Sequence, residues 1–150
     1  ENVLLMGPSG TGKTHIASAL LHTLVEQGIR CRLFPAVALV QHLQQAKRDL
    51  ELMAAMTKLD KYRAIVIDDI GYVKKTDAET QVLFEFIAHR YESGSLIITA
   101  NQPFSQWDSI FPDSMMTVAA VDRLIHHASI MELEGGSYRI EQQRQLESKP

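Results

Sequence analysis

The chain has 150 residues, 45% of them hydrophobic and 22% charged, which suits one ordinary globular domain with a single core and excludes a disordered segment. A net charge of -3 excludes bulk attraction to nucleic acid, so any DNA contact has to come from a local basic surface or from several subunits pooling theirs. The lone Cys31 excludes an intrachain disulfide and a Cys-based zinc cluster; no apolar stretch approaches the ~20 residues of a membrane span and no signal peptide is visible, so the expected setting is cytoplasmic, with no membrane partner.

The chain opens at Glu1, directly on the apolar run Val3-Leu4-Leu5-Met6, and residues 1–150 are read as one domain excised from a protein whose N-terminal region is missing. This first strand runs into Gly7-Pro8-Ser9-Gly10-Thr11-Gly12-Lys13-Thr14, which meets every fixed position of the G-x-x-x-x-G-K-[ST] phosphate-binding loop. The glycines let successive N–H groups curl inward toward phosphate oxygens, and the helix that follows adds its free N–H groups and the positive end of its dipole. Gly7 through Thr14 are therefore the expected ATP-binding residues, with Lys13 on the β- and γ-phosphates and the Thr14 hydroxyl on Mg²⁺.

The first helix carries apolar residues at helical spacing from Ile16 to Val25 and stops at Gly28, a residue suited to the left-handed conformation. Cys31 to Phe34 reads as a second strand, with Cys31 as a small core residue. Ala36 to about Met56 reads as helical (Val37, Val40, Leu43, Leu50, Met53, Met56), either one helix or two broken near Asp49. Ala64 to Asp68 is a third strand, apolar on both faces and hence central. Thr76-Asp77-Ala78-Glu79 has the spacing of a capping box and opens a helix that turns Val82, Leu83, Phe86 and Ile87 to the core, with Gly94 ending the turn after it. Ser95 to Thr99 reads as a fourth apolar strand, Pro103 to Phe111 as a short helix, Pro112 to Ser114 as a break, Thr117 to Ala128 as a helix and Ile130 to Leu133 as a fifth strand. A Gly135-Gly136 turn and a frayed Gln-rich tail close the chain. Strand and helix alternating in this way indicate an α/β fold with a parallel sheet.

A second chemical site is legible at the end of the third strand. Asp68 and Asp69 follow an apolar run, and ligands of open parallel sheets bind beyond the carboxyl ends of the strands. Asp68 is expected to hold Mg²⁺ through water, and Asp69 to orient and deprotonate the attacking water.

Four segments together resemble the IstB family: the phosphate loop, Asp68-Asp69-Ile70-Gly71-Tyr72, Thr99-Ala100-Asn101-Gln102-Pro103-Phe104-Ser105-Gln106-Trp107, and Val121-Asp122-Arg123-Leu124-Ile125-His126-His127-Ala128 with Ser137-Tyr138-Arg139 behind it. These are AAA+ ATPases, similar to the DnaC helicase loaders, that assist an insertion-sequence transposase. The resemblance implies a P-loop NTPase with an AAA+ core and a five-stranded parallel sheet in the order 5-1-4-3-2 covered by helices on both faces; the C-terminal helical lid found in many relatives is expected to be absent, since only about a dozen residues follow Tyr138. The resemblance also implies that Lys13, Asp68, Asp69 and Asn101 converge on one γ-phosphate, Asn101 as sensor. Arg123 matches the family's arginine finger, set away from its own loop and completing a neighbour's site. ATP and Mg²⁺ are the implied cofactors. Double-stranded DNA, a transposase and further copies of the chain, with ATP sites at the subunit interfaces, are the implied partners.

Two departures accompany the resemblance. Asp69 stands where many AAA+ proteins carry Glu, and Arg139 is only a weak substitute for a second sensor arginine. Lys47-Arg48 and Lys74-Lys75 have two readings: a solvated face or, as the related initiators and loaders imply for the Lys47-Arg48 helix, phosphate contacts to DNA. His126 and His127, adjacent on a helix, point ~100° apart and suit surface or core positions better than a shared metal. Trp107 and Phe104 read as core residues. The function implied is an ATP-dependent DNA-binding helper of transposition, with a DnaC-like helicase loader as the alternative. A small-molecule P-loop kinase would need an arginine-rich lid, and no such stretch exists.

Overall fold

Alternation along three apolar strands decides how the layers are built. Leu4 and Met6, Ile65 and Ile67, and Leu96 and Ile98 point to one side of the sheet, while Leu5, Val66 and Ile97 point to the other. In this computed structural model, which describes residues 1–71, 76–109 and 114–134, β1 (Asn2–Met6), β2 (Cys31–Pro35), β3 (Ala64–Asp68), β4 (Ser95–Ala100) and β5 (Ala128–Glu132) form one sheet in the order β2-β3-β4-β1-β5. All four pairings are parallel, and the order is the expected 5-1-4-3-2 read from the other edge. The carboxyl ends of β1, β3 and β4 consequently share one edge.

Helices cover both faces unequally. Among the described helices, α1 (Lys13–Glu26) alone packs on Leu5, Val66 and Ile97, through Ile16, Ala17, Leu21 and Leu24. The opposite face carries α2 (Ala36–Arg48), α3 (Leu52–Leu59), α4 (Asp77–Ser93) and α5 (Ser114–Ile125), which bury Leu39, Leu43, Met56, Phe86, Ala120 and Leu124 against it. The capping box of α4 forms as expected: Thr76 Oγ1 accepts from Glu79 N, and the Glu79 carboxylate accepts from Thr76 N. Gly28 takes φ 78°, and Ile29 N then reaches back to Leu24 O at 3.0 Å.

Several boundaries differ from expectation. The Ala36 to Met56 segment is two helices, because Leu50 adopts φ 58° and Glu51 N closes on Ala46 O at 2.8 Å. Of its apolar residues Val40, Leu43 and Met56 are buried, whereas Val37, Leu50 and Met53 are exposed, Leu50 at 94%. The helix expected over Thr117 to Ala128 starts earlier, at Ser114, and ends at Ile125. The pairing Asn2↔Ala128 draws Ala128 and Ser129 into β5, and Asn2 N donates to His127 O at 3.1 Å, so sheet closure overrides helical spacing there. His126 and His127 thus lie exposed in a turn, their rings edge to face at 4.3 Å. β5 is an edge strand with Ile130 and Met131 exposed. Cys31 is half-buried, its Sγ 3.6 Å from Leu21 O. Phe104–Ser109 is a 3-10 turn in which Trp107 is fully buried, its Nε1 donating to Gln102 O at 3.0 Å. The Gly135-Gly136 turn, the Gln-rich tail, Pro112 and the Phe111 helix end lie outside the described residues.

One core residue escaped the sequence reading. Arg90 is fully buried, and its guanidinium donates to the carbonyls of Tyr62 at 2.9 Å, Ser95 at 3.1 Å, and Leu59 and Arg63 at 3.4 Å. Burial lowers its pKa while Asp60, 4.0 Å away, favours the charge. Four carbonyls and one carboxylate offset the cost of placing a cation there.

Candidate functional site

The phosphate loop lies where β1 hands over to α1. Gly7 N donates to Ala100 O at 3.1 Å, which moors the start of the loop to the end of β4. Gly12 caps α1 in the left-handed region, φ 91°, and no acidic residue occupies the first turn to compete for an anion there. At Gly7, φ 155°, an added Cβ would run into Leu133 O, so glycine is required on steric grounds too. Pro8 O accepts from both Thr11 Oγ1 and Lys13 Nζ, each at 2.8 Å, closing the loop on itself.

Asp68 and Asp69 arrive at the same place from β3. Thr14 Oγ1 lies 3.0 and 3.2 Å from the two carboxylate oxygens of Asp68. Thr99 Oγ1 donates to Asp68 Oδ1 at 2.6 Å and accepts from Asp69 N at 2.8 Å, and Ile70 N donates to Thr99 O at 3.0 Å. Asp69 sits in the left-handed region, φ 58°. Burial lowers the pKa of Lys13 against the pull of Asp69 and Asp68. Burial, then the charge of Asp68, raises the pKa of Asp69, with Lys13 opposing. Lys13, Asp68 and Asp69 therefore form one electrostatic unit.

The structure brings Lys13, Thr14, Asp68 and Asp69 together. Asn101, half-buried, follows Ala100 at the point where β4 holds Gly7, beside the loop. Arg123 is not drawn to this cluster. Its Nη1 donates to Ala119 O at 3.2 Å and its guanidinium lies 5.4 Å from the Phe84 ring of α4. The next residue, Leu124, is held by Asn2 at the amino edge of the sheet, about 13 Å from the loop if β1 rises ~3.3 Å per residue. Lys47 and Arg48 are exposed in the last turn of α2, Lys47 3.8 Å from Glu85 and Arg48 donating to Gln45 at 2.8 Å. Lys74, Lys75 and Arg139 lie outside the described residues. A cleft of about 850 Å³ lined by Asn2, Leu24, Arg63 and His126 opens at the amino edge and contains none of the expected site residues.

Thr99, which hydrogen-bonds to both aspartates, is not among the expected site residues, because it lies in a strand expected to be apolar throughout. A hydroxyl at the buried end of a central strand is itself a signal, since it needs partners.

The donor set fits Mg²⁺ and a nucleotide triphosphate. Thr14 and Asp68 offer only oxygen, and among the described residues no cluster of three His, Cys, Asp or Glu forms. Few protein ligands beside phosphate oxygens is the way Mg²⁺ is usually held. Among the described residues no helix is long and apolar enough to cross a membrane.

A phosphate loop after β1, an acid pair at the end of β3, and Thr99 and Asn101 on either side of the last residue of β4, in this strand order, give the chain the P-loop fold of the AAA+ class. The solved structure of the DnaC helicase loader has the same fold, with a TM-score of 0.72, 21% identity, and coverage of 89% of this chain and 78% of that one. Over residues 1–146 the sequence matches the IstB-like ATP binding protein family, and the chain belongs to it. A Sinorhizobium fredii protein named for an insertion sequence and for ATP binding is 53% identical over 138 residues, 92% of this chain and 46% of its own length. The similarly named IS21 protein of Pseudomonas aeruginosa is 37% identical over 144 residues, 96% of this chain and 54% of its own length. The chain thus spans about half the length of the curated relatives it matches.

Proposed function

We propose that the protein is an ATP-hydrolysing, DNA-binding helper of transposition. Its subunits bind ATP at their interfaces, assemble on double-stranded DNA and assist a transposase in target selection and DNA transposition. The observation that carries this reading is the joining of Lys13, Thr14, Asp68 and Asp69 in a chain whose curated relatives are named for insertion sequences. The fold likeness to DnaC keeps a helicase loader as the alternative, and the relatives' names favour transposition.

In this reading Lys13 and the loop N–H groups hold the β- and γ-phosphates in line. Thr14 and Asp68 would hold Mg²⁺, which when bound would neutralise the charge that builds on the phosphate oxygens. Asp69 accepts a proton from the attacking water, a task helped by a pKa raised toward the working pH. Asn101 orients that water or the γ-phosphate. Arg123 enters the site of a neighbouring subunit, a role supported by its distance from its own loop. Lys47 and Arg48 contribute to the DNA face, with Lys74 and Lys75 as further cations.

The test is particle size and ATP turnover of the complete protein with and without duplex DNA. Growth of the particle and faster turnover when ATP and DNA are both present support the reading. A protein that stays monomeric and binds no DNA in the presence of ATP would sink it.

A further inference from the structure

The two aspartates are held by one hydroxyl. Thr99 is fully buried and spends its proton on Asp68 Oδ1, 2.6 Å away, and a lone pair on the Asp69 N–H, 2.8 Å away. The carbonyl of the same residue takes Ile70 N at 3.0 Å, so the turn leaving β3 is fastened to β4 twice. Asp68 in turn meets Thr14, 54 residues away in sequence, which makes an unbroken hydrogen-bonded path from the first turn of α1 to the backbone of Asp69. Asp69 also holds a left-handed φ of 58°, a conformation that Asp tolerates better than most side chains and that the bond from its N–H to Thr99 holds in place. No other described hydrogen bond reaches Asp69 N. An apolar residue of the same shape would leave that N–H unpaired and free the Asp68 carboxylate to rotate away from Thr14.

We propose that Thr99 is the positioning residue of the acid pair: its hydroxyl aims Asp68 at Thr14 and fixes the left-handed turn that presents Asp69. The inference rests on the ATPase reading of this site. It concerns orientation alone, since Thr99 has no reach to substrate except through the two aspartates. Catalytic geometry tolerates errors of only about 0.5 Å, so loss of the hydroxyl acts on turnover far more than on nucleotide affinity, which the phosphate loop supplies.

The experiment compares Thr99→Val, Thr99→Cys and Thr99→Ser in the complete protein with duplex DNA. Val keeps the shape without the hydroxyl, Cys replaces it by a weak thiol, and Ser retains it. Val and Cys should bind a fluorescent ATP analogue within about 3-fold of wild type, lose ~30-fold or more in kcat, and need ~10-fold more Mg²⁺ for half-maximal turnover. Ser should restore both within about 3-fold. Amide hydrogen exchange without nucleotide provides a readout independent of turnover: Asp69 should exchange faster in Val and Cys and as in wild type in Ser. Wild-type kcat and Mg²⁺ dependence in Val or Cys overturn the proposal, and so does a Ser variant as impaired as Val. Should Val not fold, Cys against Ser decides alone. A wild-type protein without ATPase activity that nonetheless gives the predicted exchange pattern would fault the ATPase reading and leave Thr99 as the anchor of the turn.

Discussion

Thr14 Oγ1 lies 3.0 Å from Asp68 Oδ1, joining the first turn of α1 to the end of β3. The contact brings the phosphate loop and the acid pair into one site, while the two halves keep separable tasks. Lys13→Ala removes the loop cation and should weaken ATP binding by ~10²-fold or more, abolishing every ATP-dependent assembly. Asp69→Asn should keep binding within a few-fold and lower turnover by ~10² to 10⁴. Equilibrium binding and single-turnover hydrolysis distinguish the two, and normal turnover by the Asp69→Asn protein would remove Asp69 from the mechanism.

Charge at Asp69 costs stability. Its pKa in the fold is raised above the unfolded value, so ionisation disfavours the folded state: the penalty is absent below the unfolded pKa and complete above the folded one. Asn tolerates the left-handed backbone that position 69 requires. Asp69→Asn should therefore melt higher than wild type near neutral pH, and the gain should vanish as pH falls below the ordinary carboxylate range. Melting curves across pH test the sign directly.

At Gly94 the backbone is extended, φ 177°, so any residue is conformationally acceptable. An added Cβ, however, would lie 2.6 Å from Arg90 Cζ, and that guanidinium is pinned by carbonyls on several segments. Gly94→Ala should cost about 2 kcal/mol, seen as a melting temperature lower by ~5 °C, through crowding rather than backbone strain. Unchanged stability would mean that the Arg90 cradle yields.

If Lys47 and Arg48 track DNA phosphates, affinity must fall steeply with salt and vary little with sequence. Lys47→Ala with Arg48→Ala should then flatten the slope of log K against log salt by about 1 to 2. An unchanged slope moves the contact elsewhere, with Lys74 and Lys75 next to test.

If Arg123 acts in trans, two inactive variants should complement each other. Arg123→Ala subunits keep an intact loop and Asp69→Asn subunits keep an intact finger, and each alone should be nearly inactive, with a barrier higher by ~4 kcal/mol if the finger is worth ~10³. In equal mixtures, half of the loops and half of the fingers are intact, so about a quarter of interfaces join an intact loop to an intact finger and activity should reappear. A cis-acting arginine cannot give this result. Mixed assemblies that exchange subunits on DNA with ATP and show no recovery would disprove the assignment.

Local chemistry made part of this protein legible from its sequence. Gly7 to Thr14 spells a turn that only glycines permit before a helix, Thr76 and Glu79 spell a helix start, and the runs at Leu4, Ile65 and Ile97 are too apolar to lie anywhere except in the middle of a covered sheet. These signals reside in neighbouring residues, so no fold is needed to read them. Tertiary structure decided what depends on residues far apart in the chain. Asn2 pairing with Ala128 shortened a helix that spacing alone would continue, and Leu50 took a left-handed turn that its side chain does not advertise. Thr99 looked like one more strand residue until the β3–β4 register set its hydroxyl between Asp68 and Asp69. Nothing next to Arg90 in the chain marks it for burial; its partners are carbonyls at the end of α3, before β3 and at the start of β4. A buried polar group is acceptable only where partners converge, and convergence is a property of the fold.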